Sequence, residues 1–307
     1  MKGLTAASVV VSALLAGGTA QATENGNPQY PLGVNTVAAG FLPAEGTLQL
    51  FNYSLANSAG EYKGANGENV IPDFDLSVQA NVARFLYTVP VDLGYFRYTT
   101  GVVIPVVHAR AKAFGHKSSD TGVGNIIVEN YLGHVSKDYK LAWYFGMDTF
   151  LPTGPYDPTK ATNVGANYYT FAPMASASYM PTPRLEFNAS VYLEINTKNK
   201  ATAYRSGTDV DFDYSANFRP FMEKLPALQV GLNGYVYKQL ADDELEGQKI
   251  GNRGQALAIG PQVRYDFSRT SGIVFKYQHE FAVRNRPAGD RFWLQFTVPL
   301  AGRRAGQ

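Results

Sequence analysis

From residue 47 to residue 300 the chain alternates apolar and polar side chains with a period of two. The cleanest run is 184–197. There Leu185, Phe187, Ala189, Val191, Leu193 and Ile195 interleave with Glu186, Asn188, Ser190, Tyr192, Glu194 and Asn196. Strict alternation predicts a β-strand whose two faces meet different surroundings. Comparable runs occupy 141–151, 210–222, 228–236, 257–267, 273–283 and 292–300. Less regular ones cover 47–55, 74–87, 95–108, 122–135 and 168–180, which makes twelve segments. Such strands exceed the usual globular length of about 5–6 residues. They match the roughly 9–11 residues with which a tilted strand crosses a bilayer.

The connections alternate as well. Short ones at 90–94, 136–138, 181–183, 223–226 and 268–270 trade places with longer ones at 56–72, 112–121, 152–167, 198–208 and 242–253, and with a compact one at 285–288. Tight turns at one end and long loops at the other predict an all-β fold. The expected form is a single antiparallel up-and-down transmembrane β-barrel of about 12 strands, with periplasmic turns and outer loops. A soluble sandwich uses shorter strands and connections of mixed length. Aromatic residues gather toward the predicted strand ends, among them Tyr87, Tyr95, Phe96, Tyr98, Tyr139, Trp143, Tyr179, Tyr265, Phe267 and Phe292. Girdles at the two membrane interfaces produce that distribution.

Composition sharpens this picture. Only 17% of the residues are charged, against about 25% in a typical soluble domain. The mean hydropathy of −0.18 is nevertheless far from that of a helical membrane protein. Alternation reconciles the two, because a very apolar lipid-facing half is averaged with a polar one. A net charge of +2 lacks the basic excess of a nucleic-acid binder. The absence of cysteine excludes disulfides and thiolate metal sites. Residues 1–22 read as a secretory signal peptide, with Lys2, a short apolar core at 9–15 and a cleavage site at Ala20-Gln21-Ala22. The expected organisation is that signal, a Gly/Pro-rich segment 23–46 as a candidate plug entering from the periplasmic side, a barrel over 47–300 and a tail over 301–307. The expected location is the outer membrane of a Gram-negative cell, reached through the periplasm.

With the apolar parity facing lipid, the polar parity lines the lumen. Toward the outer mouth this brings Asp73, Asp75, Asp148, Glu194, Asp209, Asp211, Asp213, Glu280, Arg284 and Arg291. Toward the periplasmic end it brings Arg97, Glu186, Arg219, Arg264, Asp266 and Lys276. Charged rows in so narrow a barrel either pair across it and close it, or frame a conduit whose acidic mouth disfavours anions; the sequence leaves both open. Tyr168, Tyr169, Tyr204 and Arg205 are loop candidates for stacking on an aromatic solute. Asp209, Asp211 and Asp213 share a strand face, but a straight strand spreads its carboxylates along a line. Calcium takes about six to eight converging oxygens, so neither a metal nor a cofactor is expected. Of the four histidines, His108, His116, His134 and His279, only His116 has serines and an acid beside it, Ser118, Ser119 and Asp120. No nucleophile elbow, metalloprotease helix or phosphate loop accompanies them, and no catalytic residues are expected.

Short motifs then point to a family. Glu24-Asn25-Gly26, Tyr30-Pro31-Leu32-Gly33 and Gly40-Phe41-Leu42-Pro43 open the mature chain. Gly122-Val123-Gly124-Asn125, Pro152-Thr153-Gly154-Pro155-Tyr156-Asp157, Asn163 and Asn167-Tyr168-Tyr169 follow, then Tyr204-Arg205-Ser206-Gly207, Asp242-Asp243, Gly251-Asn252-Arg253-Gly254 and Ile259-Gly260-Pro261. The C-terminal part adds Lys276-Tyr277, Glu280-Phe281, Asn285-Arg286-Pro287, Gly289, Phe292-Trp293-Leu294 and Pro299-Leu300. Together they resemble the meta-pathway phenol-degradation-like family of predicted outer-membrane transporters. The resemblance implies passive uptake of small aromatic or hydrophobic solutes and carries over no binding residues. One departure is the polar tail after Pro299-Leu300, where such barrels usually end on an aromatic residue. The expected partners are outer-membrane lipids and a small-molecule solute, without nucleic acid; the oligomeric state is left open. The rival expectations are a structural or surface-interaction barrel with a filled lumen, and a lipid-modifying enzyme.

Overall fold

The computed structural model describes residues 28–302; the predicted signal at 1–22 and residues 303–307 of the tail lie outside the described residues. Among the described residues sixteen strands make up the fold. They are β1 (Leu48–Lys63), β2 (Asp75–Thr88), β3 (Arg97–Ala113), β4 (His116–Val123), β5 (Ile127–Val135), β6 (Leu141–Phe150), β7 (Thr170–Thr182), β8 (Leu185–Asn196), β9 (Tyr204–Arg205), β10 (Asp209–Phe218), β11 (Leu228–Gln239), β12 (Asp243–Leu245), β13 (Gln248–Gly251), β14 (Gln255–Asp266), β15 (Gly272–Arg284) and β16 (Arg286–Ala301). Twelve of them close one antiparallel barrel in the order β1-β2-β3-β5-β6-β7-β8-β10-β11-β14-β15-β16. β16 pairs back on β1 from Leu48↔Ala301 to Lys63↔Arg286. Each predicted segment falls on one wall strand, and the short predicted turns join strand pairs at one end of the barrel.

The outer surface is apolar over most of its circumference. Phe187, Val191 and Ile195 on β8, Phe212 and Phe218 on β10, and Phe275 and Phe281 on β15 are exposed. On β8 and β10 the intervening residues are buried and polar. A fold in water buries that apolar face; a barrel in lipid turns it outward. At the short-turn end Tyr95, Tyr139, Tyr179, Phe221 and Phe267 stand exposed as a girdle.

The wall is irregular at one place. The lower half of β3 pairs with β5 and its upper half with β4, and Gly124, Asn125 and Ile126 separate those two strands. The loop expected at 112–121 is therefore mostly strand. Phe114 and Gly115 both have positive φ and close the β3–β4 hairpin in two residues, the geometry of a type I′ turn. The segment between β6 and β7 lies against this seam, with the Val164 amide donating to Asp120 Oδ2 at 3.0 Å and the Gly154 amide to Asn125 Oδ1 at 3.2 Å.

Two other long loops join into a small sheet. β9 and β13 flank β12, and Arg205 pairs with Glu244 across it. Asp243 is fully buried there, accepting from the Tyr204 hydroxyl, the Gly207 amide and the Gln239 side-chain amide. Burial outweighs these donors and lifts its carboxyl from 3.8 to about 6.

Two outcomes follow from this architecture. Replacing the lipid-facing Phe212 by arginine should lower folding stability in vesicles by about 2–4 kcal/mol if the residue lies near the midplane. Denaturant titration of the folded barrel measures that loss. In the loop sheet the raised carboxyl of Asp243 favours the folded state below its unfolded value, and the advantage is lost as pH rises through about 6. Asp243→Asn should therefore gain stability relative to the parent between pH 4 and pH 7, by at most about 3 kcal/mol. Parallel thermal melts across that window would show the crossover.

Candidate functional site

Alternation forces every second side chain of the wall into a lumen too narrow to remain a wide aqueous pore. Residues 28–46 run through that space from the half that holds Glu194 down to the start of β1. Glu194 accepts the amides of Gln29 and Tyr30. Asp213 accepts the Tyr30 hydroxyl at 2.7 Å, the Gly33 amide at 2.8 Å and the Asn35 amide at 2.9 Å. Lys276, fully buried, donates to Gly33 O, Val34 O and Thr36 Oγ1 at 2.7, 2.9 and 3.0 Å. Arg291 reaches Leu32 O at 2.9 Å. Lower down, Glu186 takes the Ala38 amide and Asn188 the Ala39 amide, both at 3.0 Å, while the Gly40 amide reaches Ser178 at 2.8 Å.

Hydrogen bonds to charged groups contribute about 1.5–3 kcal/mol each, so this segment is held firmly. An irregular chain inside a barrel needs such partners, since each of its buried amides otherwise stays unpaired. Two glycines make the close approach possible. Gly33 has φ of +79°, and a side chain there would strike Gln278. A Cβ at Gly40 would overlap the backbone of Ala142 and Ser178.

The structure brings most of the sequence-selected residues inward. Asp148, Glu194, Asp209, Asp211, Asp213, Glu186, Glu280, Lys276 and Arg291 are buried on the inner face. Arg219, Arg264 and Asp266 join Glu186 in an ion-pair group at the short-turn end, with Arg219–Asp266 at 2.8 Å and Arg264–Asp266 at 2.6 Å. Arg97 sits at the same end against Glu45. Lys276 belongs at mid-lumen rather than at the periplasmic end, because its bonds go to the centre of segment 28–46.

Three of the selected residues, Asp75, Arg284 and Asp73, are not in the lumen. Asp75 points outward, because polarity is reversed along β2. There Val82, Arg84 and Leu86 face in, while Gln79, Asn81 and Asp75 are exposed. Arg284 is turned outward by a bulge, where Ala282 takes φ of 51° and the register to β14 slips. Asp73 is an exposed turn residue with φ of 54°. Among the loop candidates Tyr168 and Tyr204 are buried, Tyr169 lies on the outer surface against Phe171, and Arg205 is committed to Glu244. His116 starts β4 at a hairpin tip, and His134 stacks on Tyr95 at the opposite end of the wall, its Nδ1 on the Tyr95 carbonyl.

Sequence reasoning missed the other side of the lumen. Val82, Val103, Ile127 and Phe150 meet Tyr30, Pro31 and Val34 of the inner segment and Tyr53, Tyr192 and Trp293 of the wall. They leave a cavity of about 50 Å³. Arg84 closes its floor in a network with Glu129, Tyr131 and Asp148, the Arg84–Glu129 contact being 2.9 Å. The available signal is the outward polar set Asn52, Ser54, Gln79 and Asn81 on β1 and β2, of which Asn52, Ser54 and Asn81 bond to one another. On β2 that outward polar set leaves Val82 and Leu86, together with Arg84, on the inner side.

No curated protein sequence matches the chain. Among solved structures it resembles an outer-membrane channel from Pseudomonas putida F1, with 14% identity and a TM-score of 0.76 over 87% of this chain and 100% of the other. Weaker likenesses are the β domain of the Bordetella autotransporter BrkA, at 12% identity and TM-score 0.47 over 83% of this chain and 99% of that one, and the KdgM porin, at 7% and 0.43 over 82% and 99%. The first of these supports the barrel fold independently of the hydrophobic pattern. A profile of the family described as MetA-pathway of phenol degradation matches residues 59–296, and the chain belongs to that family.

Proposed function

We propose that this chain is an outer-membrane channel for the passive uptake of small solutes with an apolar or aromatic body, with residues 28–46 as its internal plug. The observation that carries the reading is the two-sided lumen. One inner wall presents Val82, Val103, Ile127 and Phe150 beside the Arg84, Glu129 and Asp148 network, and the other presents hydroxyls, amides and carboxylates. A channel for freely hydrated solutes needs a continuous polar, wetted lining. An apolar strip facing a polar wall suits a solute with one hydrophobic side and a few polar groups. The family's association with phenol degradation agrees with such a solute. Export through the periplasm, directed by residues 1–22, is part of the same proposal, as is the absence of enzymatic activity.

The rival reading is a barrel whose lumen stays filled and which conducts nothing. Bilayer recordings separate the two. Deletion of residues 28–43 should raise single-channel conductance several-fold while the protein keeps its heat-modifiable mobility on gels. Unchanged conductance from a folded barrel would remove the plug from the proposal.

The solute class is tested at the cavity itself. Trp293 lines it, and Trp143→Phe leaves Trp293 as the sole indole reporter. Titration with a neutral aromatic such as a cresol should change Trp293 emission saturably, and Val103→Asn should weaken the response. A linear, unsaturable response equal in both proteins would argue against an apolar solute site.

A further inference from the structure

The geometry points to a divalent-cation site inside the barrel, built from Glu194, Asp209 and Asp211. Asp209 faces Glu194 directly across the β8–β10 ladder, and Asp211 is the next inward residue on the same strand. One carboxylate oxygen from each lies within 4.8 Å of the other two. That is twice a Ca–O distance of about 2.4 Å, so a single ion fits between them. Like charges placed opposite one another on paired strands repel, and nothing in the ladder itself requires them there.

The partners of these oxygens mark the site more sharply than the clustering does. Asp211 is fully buried, and neither of its oxygens meets a hydrogen-bond donor; the same holds for Asp209 Oδ1. By contrast, Asp213, one step deeper on the same face, is saturated by three donors from the inner segment. Glu194 takes two amides from that segment. The facing cations Arg286 and Arg291 both pair with Glu280, at 3.3 and 3.4 Å, and their remaining bare nitrogens, Arg286 Nε and Nη1 and Arg291 Nε, donate to none of these carboxylates. When ionised, Glu194, Asp209, Asp211 and Glu280 set against the two guanidiniums leave two negative charges among buried side chains. A divalent cation restores neutrality there. The donor set is all oxygen, which selects a hard ion of the calcium or magnesium kind, with water completing its shell.

On the strand alone, Asp209 and Asp211 alternate with the outward Val210 and Phe212. That spacing argues against a metal, since the carboxylates line up rather than converge. The neighbouring strand removes the objection, because Glu194 supplies the third oxygen from the side. Binding here is independent of whether the barrel conducts, so it stands or falls separately from the uptake reading.

Tyr192 and Tyr237, both buried, flank Asp211 on the two adjacent strands and serve as sensitisers for bound terbium. Detergent-purified full-length protein, stripped with a chelator, should bind one Tb³⁺ per chain with tyrosine-sensitised emission. Calcium should displace it and raise the melting temperature. Asp211→Asn and Asp209→Asn should each weaken binding by about tenfold or more, as expected when one charged ligand of a hard-ion site is lost. The parent protein alone is decisive if neither variant folds. No sensitised emission and no calcium-dependent melting shift would show that these carboxylates hold protons instead and would overturn the site. Emission undiminished in a folded variant would place the ion elsewhere and overturn it equally.

Discussion

Closure of the sheet is the constraint on which the rest of this structure depends. Hydrocarbon offers no water to backbone amides and carbonyls, so a strand-built span is stable only when every ladder finds a neighbour. Here the last strand meets the first along nearly its whole length, from Leu48↔Ala301 to Lys63↔Arg286. Once the ring is closed, side-chain parity is no longer free: half of each strand must project into a confined space. Twelve strands make that space small. Charged residues such as Lys276 and Asp213 could not stay there without partners, because an unpaired buried charge is far costlier than any single contact is favourable.

The inner segment answers that requirement largely with backbone, helped by the Tyr30 and Thr36 hydroxyls. Its amides satisfy Glu194, Asp213 and Glu186, and its carbonyls satisfy Lys276 and Arg291. Wall and segment thus complete each other. The arrangement is lopsided, however. The carboxylate-rich wall of β8 and β10 faces an apolar strip on β2, β3, β5 and β6, and on β2 the outward residues are the polar ones. Any solute crossing this barrel meets both surfaces at once.

Much of this is legible from residues alone, and the reasons are physical. A strand with two different environments must alternate, so each of the twelve segments carries a mark of period two. Tight turns show in the composition of their few residues. The failures share a cause: they depend on neighbours. Asp75 reads as inward when polar residues are taken to face the lumen, and β2 inverts that rule. Arg284 is displaced by a one-residue bulge at Ala282, which flips everything beyond it. The hairpin partner β4 is hidden because Phe114-Gly115 lacks the asparagine or aspartate that usually leads a type I′ turn. The loop sheet joins β9 to β12 across about forty residues of chain, a pairing no local pattern announces.

The sequence by itself determined the number of wall strands, their antiparallel order and the side of the barrel on which the long loops lie. Those properties are set by local periodicity and by connection length, both of which are written along the chain. Only the tertiary structure decided which parity of β2 faces inward, which charges are saturated and which are left bare, and where an apolar cavity opens beside them. Those properties arise between strands distant in the sequence. Glu194, Asp209 and Asp211 are ordinary strand residues when taken apart. The ladder between β8 and β10 sets them around one point, and the position of the inner segment determines that Asp213 is satisfied while Asp211 is not.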